Sequence, residues 1–178
     1  MDLLDRLLGH DRWTTVQLLA RCRELSVEQL TQQFDVGHQS LEATFQHMIG
    51  GVGVWTDLMA QRPVRVSSWD DHVAQHPVQV SSAPAATTAE ALSATWQTVY
   101  DDFAALARTI ADQGRWDETY VDVLDDPPRA KTFGGTIGHV ITHNMQHRAE
   151  IIHMLTRLGL EDVLEGDLLS WEQQAPKE

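Results

Sequence analysis

Apolar residues recur at helical spacing along four stretches of the chain. In the first, from about Asp2 to Leu25, Leu4, Leu7, Leu8, Val16 and Leu19 follow a helical repeat with Trp13 beside them. Ser26-Val27-Glu28-Gln29 then has the spacing of a capping box and predicts a short extra turn. Phe34-Asp35-Val36-Gly37 breaks the pattern. The second stretch runs from about Ser40 to Gln61 through Leu41, Phe45, Met48, Val52, Trp55 and Met59, with Ser40 as N-cap and Pro63 as its stop. The third runs from about Ala89 to Gln113. Leu92, Trp96, Val99, Phe103, Leu106 and Ile110 line one face of it, and Thr87 and Glu90 sit at capping-box spacing before it. The fourth runs from about Phe133 to Leu158 and ends at Gly159.

The segments between them differ in kind. Residues 62–87 carry Pro63, Pro77 and Pro84, and Ser68–Gln75 is long enough for two helical turns. At roughly 3.3 Å per residue this connection can span a helix of about 30 Å, so helices two and three are free to run parallel. A simple up-down order is equally permitted. Thr119–Leu124 is strand-like and Asp125-Asp126-Pro127-Pro128 reads as a turn, which predicts a small hairpin before helix four. A tail with Leu164, Leu168, Leu169 and Trp171 is expected to pack back on the helices. With no internal repeat and no boundary, residues 1–178 read as one all-α domain, a four-helix bundle with a long crossover between helices two and three.

Gly50, Gly51 and Gly53 sit inside the second helix at a cost of about 1 kcal/mol each relative to alanine. They mark either close approach by a neighbouring helix or ligand, or a tolerated weak spot.

Composition narrows the chemistry. Thirteen basic against 26 acidic residues leave a net charge of −13, which argues against nucleic acid or an anionic membrane as partner. No apolar run approaches 18 residues and the N-terminus lacks a signal-peptide layout, so a cytoplasmic location is expected. Cys22 is the single cysteine, which excludes an internal disulfide, and it reads as a small buried hydrophobe. The oddity is nine histidines against two lysines.

Three of these histidines, His139, His143 and His147, stand at i, i+4, i+8 on the fourth helix. Neighbours in this series are about 40° apart around the helix and can share an ion, whereas the outer two are about 12 Å apart and cannot. Measured from the apolar face set by Ile137, Ile141, Ile152 and Leu155, His147 lies roughly 90–100° away, His143 about 130–140° and His139 about 170–180°. The pair at the edge of the core is His143/His147. His47 on the second helix lies about 120° from its own apolar stripe, again at a core edge. Two histidines from one helix and one from another make a three-imidazole site with open positions, suited to Zn, Ni or Fe. Its affinity is expected to fall as the pH drops through ~6.5, where free imidazoles protonate.

The other histidines lack such a setting. His72 and His76 have the same spacing in a polar, proline-bounded segment. His10, His38 and His153 have no partner pattern and read as surface or helix-end residues. Glu150, one turn beyond His147, is a candidate ligand or general base, or an ordinary surface acid. Arg148 is a candidate anion binder, or a core arginine paired with an acid, because the wheel places it on the apolar face.

At these residues the chain resembles the DinB/YfiT-like superfamily of metal-dependent enzymes. The resemblance rests on Leu-Leu-Gly-His-Asp-Arg-Trp in the first helix and on Ser40–Met48 with its histidine. It rests further on Thr136–Arg148 as the final-helix signature and on Asp167-Leu168-Leu169-Ser170-Trp171 in the tail. It implies a four-helix bundle of up-down-down-up connectivity, ligands at His47, His143 and His147, and a structural His139. The family often continues Arg-Gly-Gln where this chain has Arg148-Ala149-Glu150, so the glutamine's role is replaced by an acid here. Members with assigned functions include thiol-dependent S-transferases and isomerases, and homodimers are frequent. The resemblance thus implies a divalent metal ion, a small-molecule substrate and a low-molecular-weight thiol as partner. A non-catalytic, stress-related metal-binding protein and a metal-dependent hydrolase are the alternatives. The crossover 62–87 and the tail around Trp171 are the segments expected to roof the site, with Gly51 and Trp55 lining it.

Overall fold

A computed structural model describes residues 1–66, 81–82 and 88–174. The chain is mostly helical. Four long helices, α1 (Leu3–Cys22), α3 (Leu41–Met59), α4 (Ala89–Asp112) and α5 (Phe133–Arg157), are joined by the single turn α2 (Val27–Leu30) and followed by α6 (Leu168–Gln174). Each helix begins where a side chain satisfies an orphan backbone N–H. Asp2 and Ser26 close the capping boxes of α1 and α2 with Asp5 and Gln29. The Ser40 hydroxyl accepts from Ala43 N–H at 3.1 Å and the Thr132 hydroxyl from Gly135 N–H, also at 3.1 Å. The cap of α4 falls one residue later than the sequence suggests: Thr88, not Thr87, accepts from Ala91 N–H.

Helix α1 packs against α4 and α5, and α3 packs against the same two. Named contacts show how they align. Arg108 donates to Asp5 at 3.1 Å, the Tyr100 hydroxyl donates to the Leu8 carbonyl at 3.0 Å, and Arg12 pairs with Asp101 at 2.8 Å. Residue numbers therefore rise along α1 as they fall along α4. Asp11 meets Asn144 and Arg148, and Arg21 donates to the Glu161 carbonyl beyond the end of α5, so numbers rise together along α1 and α5. His47 meets His147 while Trp55 meets His139, so α3 and α5 run in opposite senses. Between the helices lies an apolar core that includes Leu18, Phe45, Leu92, Trp96, Phe103 and Ile151, all fully buried.

The hairpin anticipated before the last long helix is present. β3 (Thr119–Asp122) pairs antiparallel with β4 (Arg129–Thr132), Thr119 opposite Thr132. Its last residue, Thr132, is also the N-cap of α5, so strand passes directly into helix. A second pair was not anticipated: β1 (Arg65–Val66) runs parallel to β2 (Ser81–Ser82). Two residues per strand are too few for an alternation pattern to reveal them. The expected turns at Ser68–Gln75 and the pair His72/His76 lie outside the described residues. The tail packs back as anticipated, but Trp171 rests on α1. A Cβ at Gly9 would meet its ring at 2.8 Å, and its ring lies 6.3 Å from that of His10. Trp171 therefore does not roof a site between α3 and α5.

Candidate metal centre

The burial of the histidines on α5 follows the order of the helical wheel. His147 is buried, His143 half-buried and His139 exposed. His47, half-buried on α3, faces them because α3 and α5 cross with their core edges in contact. The Nε2 atom of His143 lies 3.0 Å from Nε2 of His47 and 3.1 Å from Nε2 of His147. Nε2 of His143 thus meets one nitrogen from each of the other two rings, and ring nitrogens of His47 and His147 lie within 4.8 Å of each other. Nitrogens 2.0–2.1 Å from a shared tetrahedral ion would be separated by about 3.3 Å, so the spacing fits a common ion with a small outward adjustment.

The protonation of the cage suits a metal as well. Nδ1 of His147 lies 2.7 Å from Oε2 of Glu150. A carboxylate only accepts, so Nδ1 carries the hydrogen, and Nε2 is the nitrogen turned toward His143. Burial, aided by repulsion from His38, His147 and His143, pushes the His47 pKa down to about 3. Burial, with repulsion from His147, His139 and His38, pushes His143 down to about 4. Both rings are therefore neutral, the form that ligates.

A fourth histidine joins this group. His38, in the loop before α3, stacks on His47 with ring centroids 3.8 Å apart and planes 24° from parallel. Ring nitrogens of His38, His47 and His147 all lie within 4.8 Å of one another. From sequence His38 reads as a surface or helix-end residue, and it is exposed, with its ring stacked on that of His47. Helical periodicity says nothing about a loop, which is why it was missed. The one available hint was the preceding Gly37, whose positive φ of 57° turns the loop inward.

The sequence model of the DinB family matches residues 1–175. The chain belongs to the DinB family. No curated protein sequence matches it.

In this DinB-family protein the remaining candidates separate clearly. Glu150 is hydrogen-bonded to His147, the position of a partner that orients a ligand. Arg148 takes the second of its two readings: it is 2% exposed and ion-paired with the fully buried Asp11, which also accepts from Asn144 at 3.0 Å. His139 stays outside the Nε2 convergence. Its ring stacks 5.1 Å from His143 and meets Trp55 edge-on at 5.5 Å. Beyond it opens a cavity of about 370 Å³ lined by Trp55, Lys131, Thr132, Gly135, Thr136 and His139. The Lys131 ammonium lies 4.7 Å from the centre of the Trp55 ring and pairs with Asp122 and Asp125. Along α3, a Cβ at Gly51 would meet nothing within 4 Å. Gly51 therefore marks open space on the His47 side of the helix and no close approach. Family membership and the clustered histidines are together compatible with a metal-binding protein.

Proposed function

We propose that this protein is a metal-dependent enzyme that holds a divalent ion, Zn, Ni or Fe, on His47, His143 and His147, and that it transfers a low-molecular-weight thiol to a small electrophile. The observation that carries the reading is the contact of His143 Nε2 with Nε2 of His47 at 3.0 Å and with Nε2 of His147 at 3.1 Å. When bound, a divalent ion on neutral imidazoles supplies positive charge that lowers the pKa of an adjacent thiol or water.

The protein's own groups do the rest. Glu150 fixes the tautomer and orientation of His147. His139 and Trp55 connect the cage to the 370 Å³ cavity, which offers aromatic faces for the body of a substrate. The Lys131 charge on the rim supplies a polar anchor. A reducing cytoplasm matches a thiol substrate and the free, buried Cys22.

The scaffold we infer is one domain, a four-helix bundle of up-down-down-up order. Its support is the pairing already described: α4 runs against α1, α5 runs with α1, and α3 runs against α5. Together these leave α3 and α4 parallel, as the long crossover permits. The family resemblance adds a homodimer to this proposal.

The test is turnover of an electrophile panel by metal-loaded protein, with and without small thiols. Thiol-dependent turnover that is lost on metal removal and in His143→Ala supports the transferase. Turnover by water alone would favour the hydrolase, and stoichiometric metal without turnover would favour a non-catalytic metal-binding protein.

A further inference from the structure

The loop that carries His38 is built against the centre. Phe34 N–H donates to the Gln39 carbonyl at 2.6 Å and Gln39 N–H to the Val36 carbonyl at 3.0 Å, which closes a tight turn. Gly37 and Gln39 adopt positive φ values of 57° and 68°. A Cβ at Gly37 would lie 2.6 Å from Oε2 of Glu150, so the loop rests on this carboxylate, and its positive φ favours glycine there. The same oxygen accepts from His147. The loop is thus docked on the group that orients one ligand, and it delivers His38 against the ring of another.

The four imidazoles are not held alike. His47, His143 and His147 project from long helices, and His147 is further fixed by Glu150. His38 is exposed, sits on a loop and lies 5.3 Å from the His147 ring centre. A histidine lone pair lies in its ring plane, and a ring stacked 24° from parallel on His47 does not aim at the point His47 aims at. Its nitrogen is nevertheless within 4.8 Å of both His47 and His147 nitrogens. A tetrahedral cage needs about 3.3 Å. Rotation about the side-chain torsions of an exposed residue covers that difference without moving the backbone.

We propose that His38 is a displaceable fourth nitrogen donor, closing the resting centre as a four-imidazole cage and leaving when a stronger donor enters. The proposal rests on the reading of His47, His143 and His147 as the fixed ligands. Closed four-ligand sites are inert, whereas catalytic sites keep an open position. A centre with three locked donors and one on an exposed loop switches between the two. It stays closed to water at rest and opens to a thiolate, which binds these ions more strongly than imidazole does.

Cobalt-substituted full-length protein tests this, read by metal affinity and by the intensity of the d–d bands. Wild type is expected to take one equivalent and show the strong bands of a four-coordinate ion. His38→Ala should still take one equivalent, with affinity weaker on the order of 10-fold, within the range of lost supporting contacts. Its bands should weaken as water enters, and added imidazole should restore them. Adding 2-mercaptoethanol should convert both proteins to the same sulfur-ligated spectrum, at lower concentration in His38→Ala. Identical affinity and spectra for wild type and His38→Ala, with binding lost in His47→Ala, would overturn the role of His38 and leave the three-histidine site standing. Failure of wild type to bind cobalt would overturn both.

Discussion

The contact between Glu150 and His147 carries more chemistry than its 2.7 Å suggests. Only an acceptor at Glu150 fixes the hydrogen on Nδ1 and leaves Nε2 to face His143 and His47. The glutamine that the family resemblance leads one to expect has a carbonyl oxygen able to accept the same bond. The acid here accepts the same bond and places a carboxylate behind the His147 ring. Glu150→Ala should weaken metal affinity by about 10–100-fold, and Glu150→Gln should recover much of the loss. Equal affinity in all three proteins, measured by competition with a chromophoric chelator, would remove Glu150 from the centre. Arg148, its near neighbour in sequence, illustrates the opposite outcome. Its guanidinium is spent on Asp11 in the core, and breaking such a buried pair costs about 3–5 kcal/mol.

At the scale of the helices, periodicity carried most of the information. The burial order His147, His143, His139 follows from a 100° step per residue, and so does the placing of His47 at a core edge. Caps at Ser26, Ser40 and Thr132 act through side-chain chemistry that is local in sequence, and those at Ser26 and Ser40 were legible. What was not legible depends on distant chain. His38 stacks on His47 from a loop whose Gly37 lies against Glu150, more than a hundred residues away. The β1–β2 pair and the resting place of Trp171 on α1 are long-range in the same way. Gly51 shows how a sequence oddity acquires meaning from its surroundings. With nothing within 4 Å of its Cβ position, Gly51→Ala should stabilise α3 by about 0.5–1 kcal/mol and leave metal affinity unchanged. Calorimetry that instead showed destabilisation would mean the site is tighter than this structure has it.

For the whole molecule, the neutral histidines set the response to acid. His10, buried against the Gly166 carbonyl, has its pKa lowered chiefly by burial, as do His47, to about 3, and His143, to about 4. In the unfolded chain all three return to ~6.5. Below that pH the unfolded state binds protons that the folded state refuses, so stability falls as the pH drops from about 6.5 toward about 4. The melting temperature of the metal-free protein should decline steadily across that window. A flat profile between pH 7 and 5 would contradict it. The same shifts bear on the proposed ligands His47 and His143. Rings held neutral to about 3 and about 4 do not yield to protons at pH 6. These two of the three proposed ligands therefore have no proton to release to a metal at pH 6.

No helix among the described residues is long and apolar enough to cross a membrane. One measurement is decisive for the centre. That measurement is equilibrium zinc binding, by competition, to protein without an affinity tag, alongside His47→Ala, His143→Ala, His147→Ala and His139→Ala. One equivalent is predicted for wild type, with affinity lost by several orders of magnitude in each of the first three variants and retained in His139→Ala. Equal losses in His139→Ala and His47→Ala, or full binding by His47→Ala, would contradict the assignment of the centre.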